Sequence, residues 1–188
     1  MTQGREGLRA ERWLAVGLAA RVSSVVPVYC ERYTRQDDAF PAIAVVESAW
    51  RELSGMGDER AFQADSIPLI EQLRADVTEA GHPSAVAVKH ALDAVLAVAR
   101  YGGGERAGAG EAKAAALAVA GECDRHELPP PIGWAGWVEY EAAGTAAWAT
   151  ALSTSSADLT PARCFDFRME AGAESMNYRR AMQEWLHG

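Results

Sequence analysis

The chain has 188 residues, 49% of them apolar and 23% charged, with 26 acidic against 18 basic side chains and a net charge of −8. That length suits one domain able to bury about 70% of the surface its unfolded form exposes, so no metal or disulfide staple is required. The acidic balance disfavours binding to a phosphate backbone; it reads as a solubility feature, and the same field would attract a basic partner.

Three cysteines, Cys30, Cys123 and Cys164, are too far apart for a disulfide framework or a thiolate cluster. The opening Met1-Thr2-Gln3-Gly4-Arg5 lacks the basic-then-apolar order of a secretory leader. The uninterrupted apolar runs fall short of the roughly 18 residues a membrane span needs. A cytoplasmic address, with no membrane role, is expected on these grounds.

Every long apolar stretch repeats at helical spacing, and strict alternation is nowhere sustained. Leu14, Leu18, Val22, Val25 and Tyr29 mark one face of a first helix from about Arg5 to Tyr33. Pro27 lacks an amide hydrogen, which predicts a kink near Ser23 to Val26. A second helix follows Asp37-Asp38, either of which can cap it, with Ile43, Val46, Trp50 and Leu53 as its buried stripe. Asp65 or Ser66 before Pro68 opens a third, with Ile70, Leu73 and Val77 inward and Gly81 ending it. The fourth runs from Pro83 to Tyr101 on Val88, Leu92, Val95 and Ala99.

An alanine-rich fifth helix covers about Glu105 to Asp124. Leu128-Pro129-Pro130-Pro131 then forces an extended connector. Trp134, Trp137, Trp148 and Leu152 fall on a further helix interrupted by Gly144. Pro161 to Leu186 reads as a more polar helix with Phe165, Met169, Tyr178, Met182 and Trp185 as apolar positions. The expectation is an all-α chain, a single helical bundle of six to eight antiparallel helices. Residues 1–156 form its body, and 157–188 a C-terminal helical extension packed on it.

Chemical motifs are sparse. Gly102-Gly103-Gly104-Glu105-Arg106-Ala107-Gly108 lacks the Gly-Lys-Ser/Thr of a phosphate loop and follows a helix rather than a strand. Cys123-Asp124-Arg125-His126-Glu127 gathers metal-ligand types without the second pair a zinc site needs. No cofactor, metal or catalytic residue is assigned. Glu141 lies four residues after Trp137 and seven before Trp148, hence on their face. It reads either as a general acid held against indoles or as a buried carboxylate paired with an arginine.

Two family resemblances attach to these helices. Glu11-Arg12-Trp13, followed by Pro27-Val28-Tyr29-Cys30 and by Val46 to Leu53, resembles the YjaG-like bacterial all-helical family of unknown function. The Pro83 to Tyr101 helix and the Trp137 to Leu152 helix fit the same pattern. The arginine usual before the Pro-x-Tyr step is displaced here to Arg21, with Ser24 in its place. The helix from Asp38-Ala39-Phe40-Pro41 through Ala49-Trp50 is also similar to helical immunity proteins that accompany polymorphic bacterial toxins. Both likenesses span at most residues 8 to 155, and neither implies catalytic residues.

The resulting expectation is a protein-binding module without catalysis, an immunity or antitoxin-like protein occluding a basic toxin domain. Trp134, Trp137 and Trp185 would be its aromatic anchors, with Glu139 and Glu141 as charged contacts. The alternatives are a small helical enzyme using Glu141 or His126 as acid or base, and a homodimer or larger homo-oligomer built through the C-terminal helix.

Overall fold

The computed structural model describes residues 2–33, 36–79, 81–102, 108–154 and 159–187. It is an all-α helical bundle with no strand among the described residues: α1 Thr2–Ser23, α2 Val25–Tyr33, α3 Phe40–Leu53, α4 Arg60–Glu79, α5 Ala85–Gly102, α6 Gly108–Arg125, α7 Trp137–Thr154 and α8 Pro161–His187. A 3-10 turn over Gln36–Ala39 leads into α3. The glycine run after Gly102 and the polar break at Ser155-Ser156 lie largely outside the described residues.

α1 and α2 are one rod bent at Ser24, where Pro27 withdraws an amide from the ladder. The Ser24 hydroxyl donates to the Arg21 carbonyl at 3.1 Å or to the Ser175 carbonyl of α8 at 2.8 Å, so the bend is also a docking point. The run Gly7–Tyr33 is long and apolar enough to cross a membrane by length and composition, contrary to expectation, and 78% of its apolar 18-residue window is buried within the bundle. Burial on all sides gives a core helix the same apolar composition.

α1 touches α3, α5, α6, α7 and α8, while α5 is enclosed by α1, α2, α3, α4 and α6. Successive helices from α3 to α7 pack on one another, as short connections between antiparallel neighbours require. Alanine explains the tightness on α5 and α6: Ala91, Ala94, Ala112, Ala116 and Ala120 let backbones approach closely. At Gly108 even a methyl group would come within 2.7 Å of the Tyr101 ring. α8 contributes Cys164, Phe167, Ala171, Tyr178, Ala181, Met182 and Leu186 to the same continuous core.

Several local expectations are corrected. The N-cap position of α3 is Ala39, rather than Asp37 or Asp38, and Ala39 makes no side-chain cap bond. α4 starts at Arg60, where the Asp58 carboxylate accepts the Arg60 amide at 3.2 Å, and Pro68 lies inside the helix rather than opening it. The buried face of α3 holds Val46, Trp50 and Leu53 as expected, together with Ala42, Val45 and Ala49, and of the expected stripe Ile43 is left outside. On α8 the inward residues Cys164 and Phe167 leave Phe165 and Met169 facing solvent. In both helices the small or bulkier neighbour that fits the core decided which of two overlapping stripes turned inward.

Candidate functional site

Under the surface where α1, α7 and α8 meet lies a charged cluster fully removed from water. Arg21, Glu141 and Tyr178 each have no exposed surface. Glu141 Oε2 accepts the Tyr178 hydroxyl at 2.7 Å and lies 3.4 Å from Arg21 Nη2, while Oε1 accepts the Thr145 hydroxyl at 3.0 Å. Arg21 Nε is 2.8 Å from Glu174 Oε2. The guanidinium N–H groups are not aligned for hydrogen bonds among the described residues, so this attachment is Coulombic, reinforced by the Trp148 ring 4.4 Å beneath Arg21.

Burial raises the Glu174 carboxyl above the usual carboxylate range, against the pull of Arg21. Burial, together with the Glu141 carboxylate, holds the Tyr178 phenol well above its ordinary value. Of the two readings of Glu141, the structure therefore shows the carboxylate paired with an arginine. Both of its oxygens are engaged. With Tyr178 and Glu174 the pair ties α1, α7 and α8 together.

The connector from α6 to α7 is held by side-chain and backbone bonds at both ends. α6 ends with Leu128 N–H bonding the Cys123 carbonyl at 3.0 Å, which puts Glu127 in the left-handed region at φ 55 where glycine normally stands. Asp124 reaches across and accepts the first amides of α7, Trp137 N–H at 2.6 Å and Val138 N–H at 3.0 Å. The Trp137 indole donates to the Leu128 carbonyl at 3.0 Å, and Glu139 accepts the Ala135 amide at 3.1 Å. Three prolines and the Trp134-to-Pro131 backbone bond complete the bracing. In this braced loop Ile132 is 99% exposed, with Trp134 two residues on and Val138 in the first turn of α7 also surface-exposed.

The five residues expected at a partner interface are divided by the structure. Trp137 and Glu141 are core residues, completely enclosed, and present nothing to a partner in this conformation. The reason is the one that placed them together in sequence, since the face they share is the inward face of α7. Trp134 and Glu139 belong to the connector and the first turn of α7, with the Trp134 ring edge-on to Tyr140 at 5.7 Å. Trp185 is half-buried and stacks on His126 at 4.3 Å, at the foot of the same connector. Trp134, Glu139 and Trp185 are thus brought to one end of the bundle, joined there by the exposed carboxylate Glu127.

Ile132 is the surface residue that periodicity missed, because a loop apex has no period. The signal available was its position directly after Pro129-Pro130-Pro131, where the chain cannot fold back on itself. His126, the other acid–base candidate, ends α6 against Trp185, with Glu122 Oε2 4.0 Å away and already paired to Arg125 at 2.7 Å. The three cysteines are buried, and burial pushes the Cys123 thiol up to about 12. Among the described residues no group of metal-ligand side chains is close enough to hold an ion. No protein-family model, no curated protein and no solved structure matches this chain.

Proposed function

We propose that the protein is a binding module without catalysis, whose contact surface is the connector between α6 and α7. Its most concrete form is an immunity or antitoxin-like protein that occludes a toxin domain. The observation that carries this reading is Ile132, wholly exposed on a loop that hydrogen bonds and three prolines hold still. A rigid apolar apex loses little conformational freedom on docking, which is the property that concentrates affinity in a few anchors.

Trp134 adds aromatic area next to Ile132. Glu127 and Glu139 give the rim an acidic character, in keeping with the net charge of −8, so the fitting partner is a basic domain with an apolar pocket. The strained left-handed Glu127 supports the same reading, since backbone strain gathers at functional positions.

The test is co-purification of the full chain with each protein encoded beside its gene, using the wild type and Ile132→Asp. Wild-type protein is expected to form a stoichiometric complex and protect cells, with Ile132→Asp weakening the complex about a hundredfold, the cost of a central hot spot. A complex indifferent to Ile132→Asp removes this surface. Absence of a complex with any of these proteins removes the immunity reading.

A further inference from the structure

A cavity of about 370 Å³ opens where the first half of α1 and the last turn of α3 meet the first residues of α4 and α8. Leu8, Leu53 and Pro161 give it apolar walls. Three arginines, Arg9, Arg12 and Arg60, line it against one carboxylate, Glu52. Arg60 and Pro161 also begin helices of 20 and 27 residues, so two positive helix ends border the same space.

The charges do not cancel pair by pair. Glu52 is shared: Arg12 Nη2 bonds its Oε2, Arg60 Nε bonds its Oε1 at 3.2 Å, and the buried Gln63 amide donates to Oε2 at 3.2 Å. One carboxylate therefore serves two guanidiniums and holds them close together. Arg9, one turn before Arg12, pairs with no carboxylate among the described residues. Asp58 stands 3.9 Å from Arg60 Nε, but it is 78% exposed and accepts the Arg60 amide, while Glu59 is engaged by Arg51 at 2.7 Å. Three guanidiniums thus face two carboxylates, a local positive surplus in a chain of net charge −8. Burial lowers the Arg12 guanidinium below its ordinary value against the pull of Glu52, and Arg60 lowers it further. Nor are the arginines needed to cap α3, because the Ser54, Gly55 and Met56 amides already bond the Trp50, Glu52 and Arg51 carbonyls at 3.0, 3.0 and 2.9 Å.

We infer that this cavity binds a small organic phosphate monoester, its dianionic head among Arg9, Arg12 and Arg60 and a short apolar group against Leu8, Leu53 and Pro161. A phosphate presents three acceptor oxygens, one for each guanidinium, where a carboxylate presents two. Glu52 takes one donor from Arg12 and one from Arg60, which leaves most of each five-donor fork for the ligand. The volume falls within the range of small-molecule sites. This site is independent of the Ile132 loop and of the immunity reading.

The probes are benzyl phosphate, inorganic phosphate and the neutral benzyl alcohol, titrated into the full-length protein at pH 7.5. Calorimetry reads affinity, and amide shift perturbation reads location. Benzyl phosphate is expected to bind one to one, at least about tenfold more tightly than inorganic phosphate, and to shift resonances at residues 8–12 and 52–60. Benzyl alcohol should not bind measurably.

Arg9→Gln removes an exposed, unpaired arginine and should weaken benzyl phosphate about tenfold with the unfolding midpoint unchanged. Leu8→Glu, also at an exposed position, places a carboxylate one turn before Arg12 and should abolish binding. No saturable binding, equal affinity for benzyl alcohol, shifts confined to other parts of the bundle, or affinity indifferent to both substitutions would each overturn the site. Inorganic phosphate binding as tightly as benzyl phosphate would overturn the monoester as its ligand.

Discussion

Replacing Gly144 by alanine separates two effects of opposite sign. In the middle of α7 the exchange gains about 1 kcal/mol from helix propensity alone. The added methyl would stand 2.5 Å from Arg21 Nη2, 3.1 Å from Nη1 and 3.2 Å from Cζ. Non-bonded carbon contacts favour about 3.5 Å or more, so the guanidinium must withdraw by nearly an ångström. It has nowhere to go, with the Trp148 ring 4.4 Å away, Glu174 at 2.8 Å and Glu141 at 3.4 Å.

Displacing a buried charge from its partners costs about 3 to 5 kcal/mol, so Gly144→Ala should lose about 2 to 4 kcal/mol net. Urea unfolding followed by circular dichroism reads this directly. Gly172→Ala on α8 is the matched control, because a methyl there meets open space and should raise stability by up to about 1 kcal/mol. If Gly144→Ala is as stable as the wild type, Arg21 is not wedged as described, and the charged cluster does not fix the packing of α1, α7 and α8.

Further predictions concern the same cluster and the connector. Because the folded-state Glu174 carboxyl sits above its ordinary value, the native state binds more protons than the unfolded chain between those two values. This group's contribution therefore falls as pH rises through that window, and Glu174→Gln should flatten the corresponding slope in unfolding midpoints measured against pH; an unchanged slope contradicts it. Asp124→Ala removes both caps on α7 and should cost about 1 to 2 kcal/mol, with faster hydrogen exchange at Trp137 and Val138. Glu127→Gly relieves the left-handed strain and should stabilise the protein by about 1 kcal/mol while weakening partner binding; stabilisation with unaltered binding would make Glu127 merely a poor cap.

How far the sequence reached depends on the kind of physical constraint. Pro27 forbids a backbone bond wherever it stands, so the bend at Ser24 was readable. The shared face of Trp137, Glu141 and Trp148 follows from helical spacing alone, and the structure supplied what spacing cannot, the arginine partner from a helix 120 residues earlier. Ile43, Phe165 and Met169 were assigned to apolar stripes because they are large. Facing took them outward, since Ala42 and Ala49 fit the crowded approach to α5 and Phe167 fits among Trp13, Trp50 and Trp148. Pro68 shows the limit of local rules in the other direction, a helix breaker tolerated inside α4. The exposed Ile132 on the connector has no periodic signature, so it required coordinates.

The most direct test of the account is hydrogen–deuterium exchange with and without whichever protein encoded beside the gene co-purifies with the chain, comparing free and bound protein residue by residue. Protection gathered on residues 127–139, with α4 unchanged, is the result predicted. Protection that leaves that loop as open as before, wherever else it falls, would contradict the claim that the braced apex is what the partner grips.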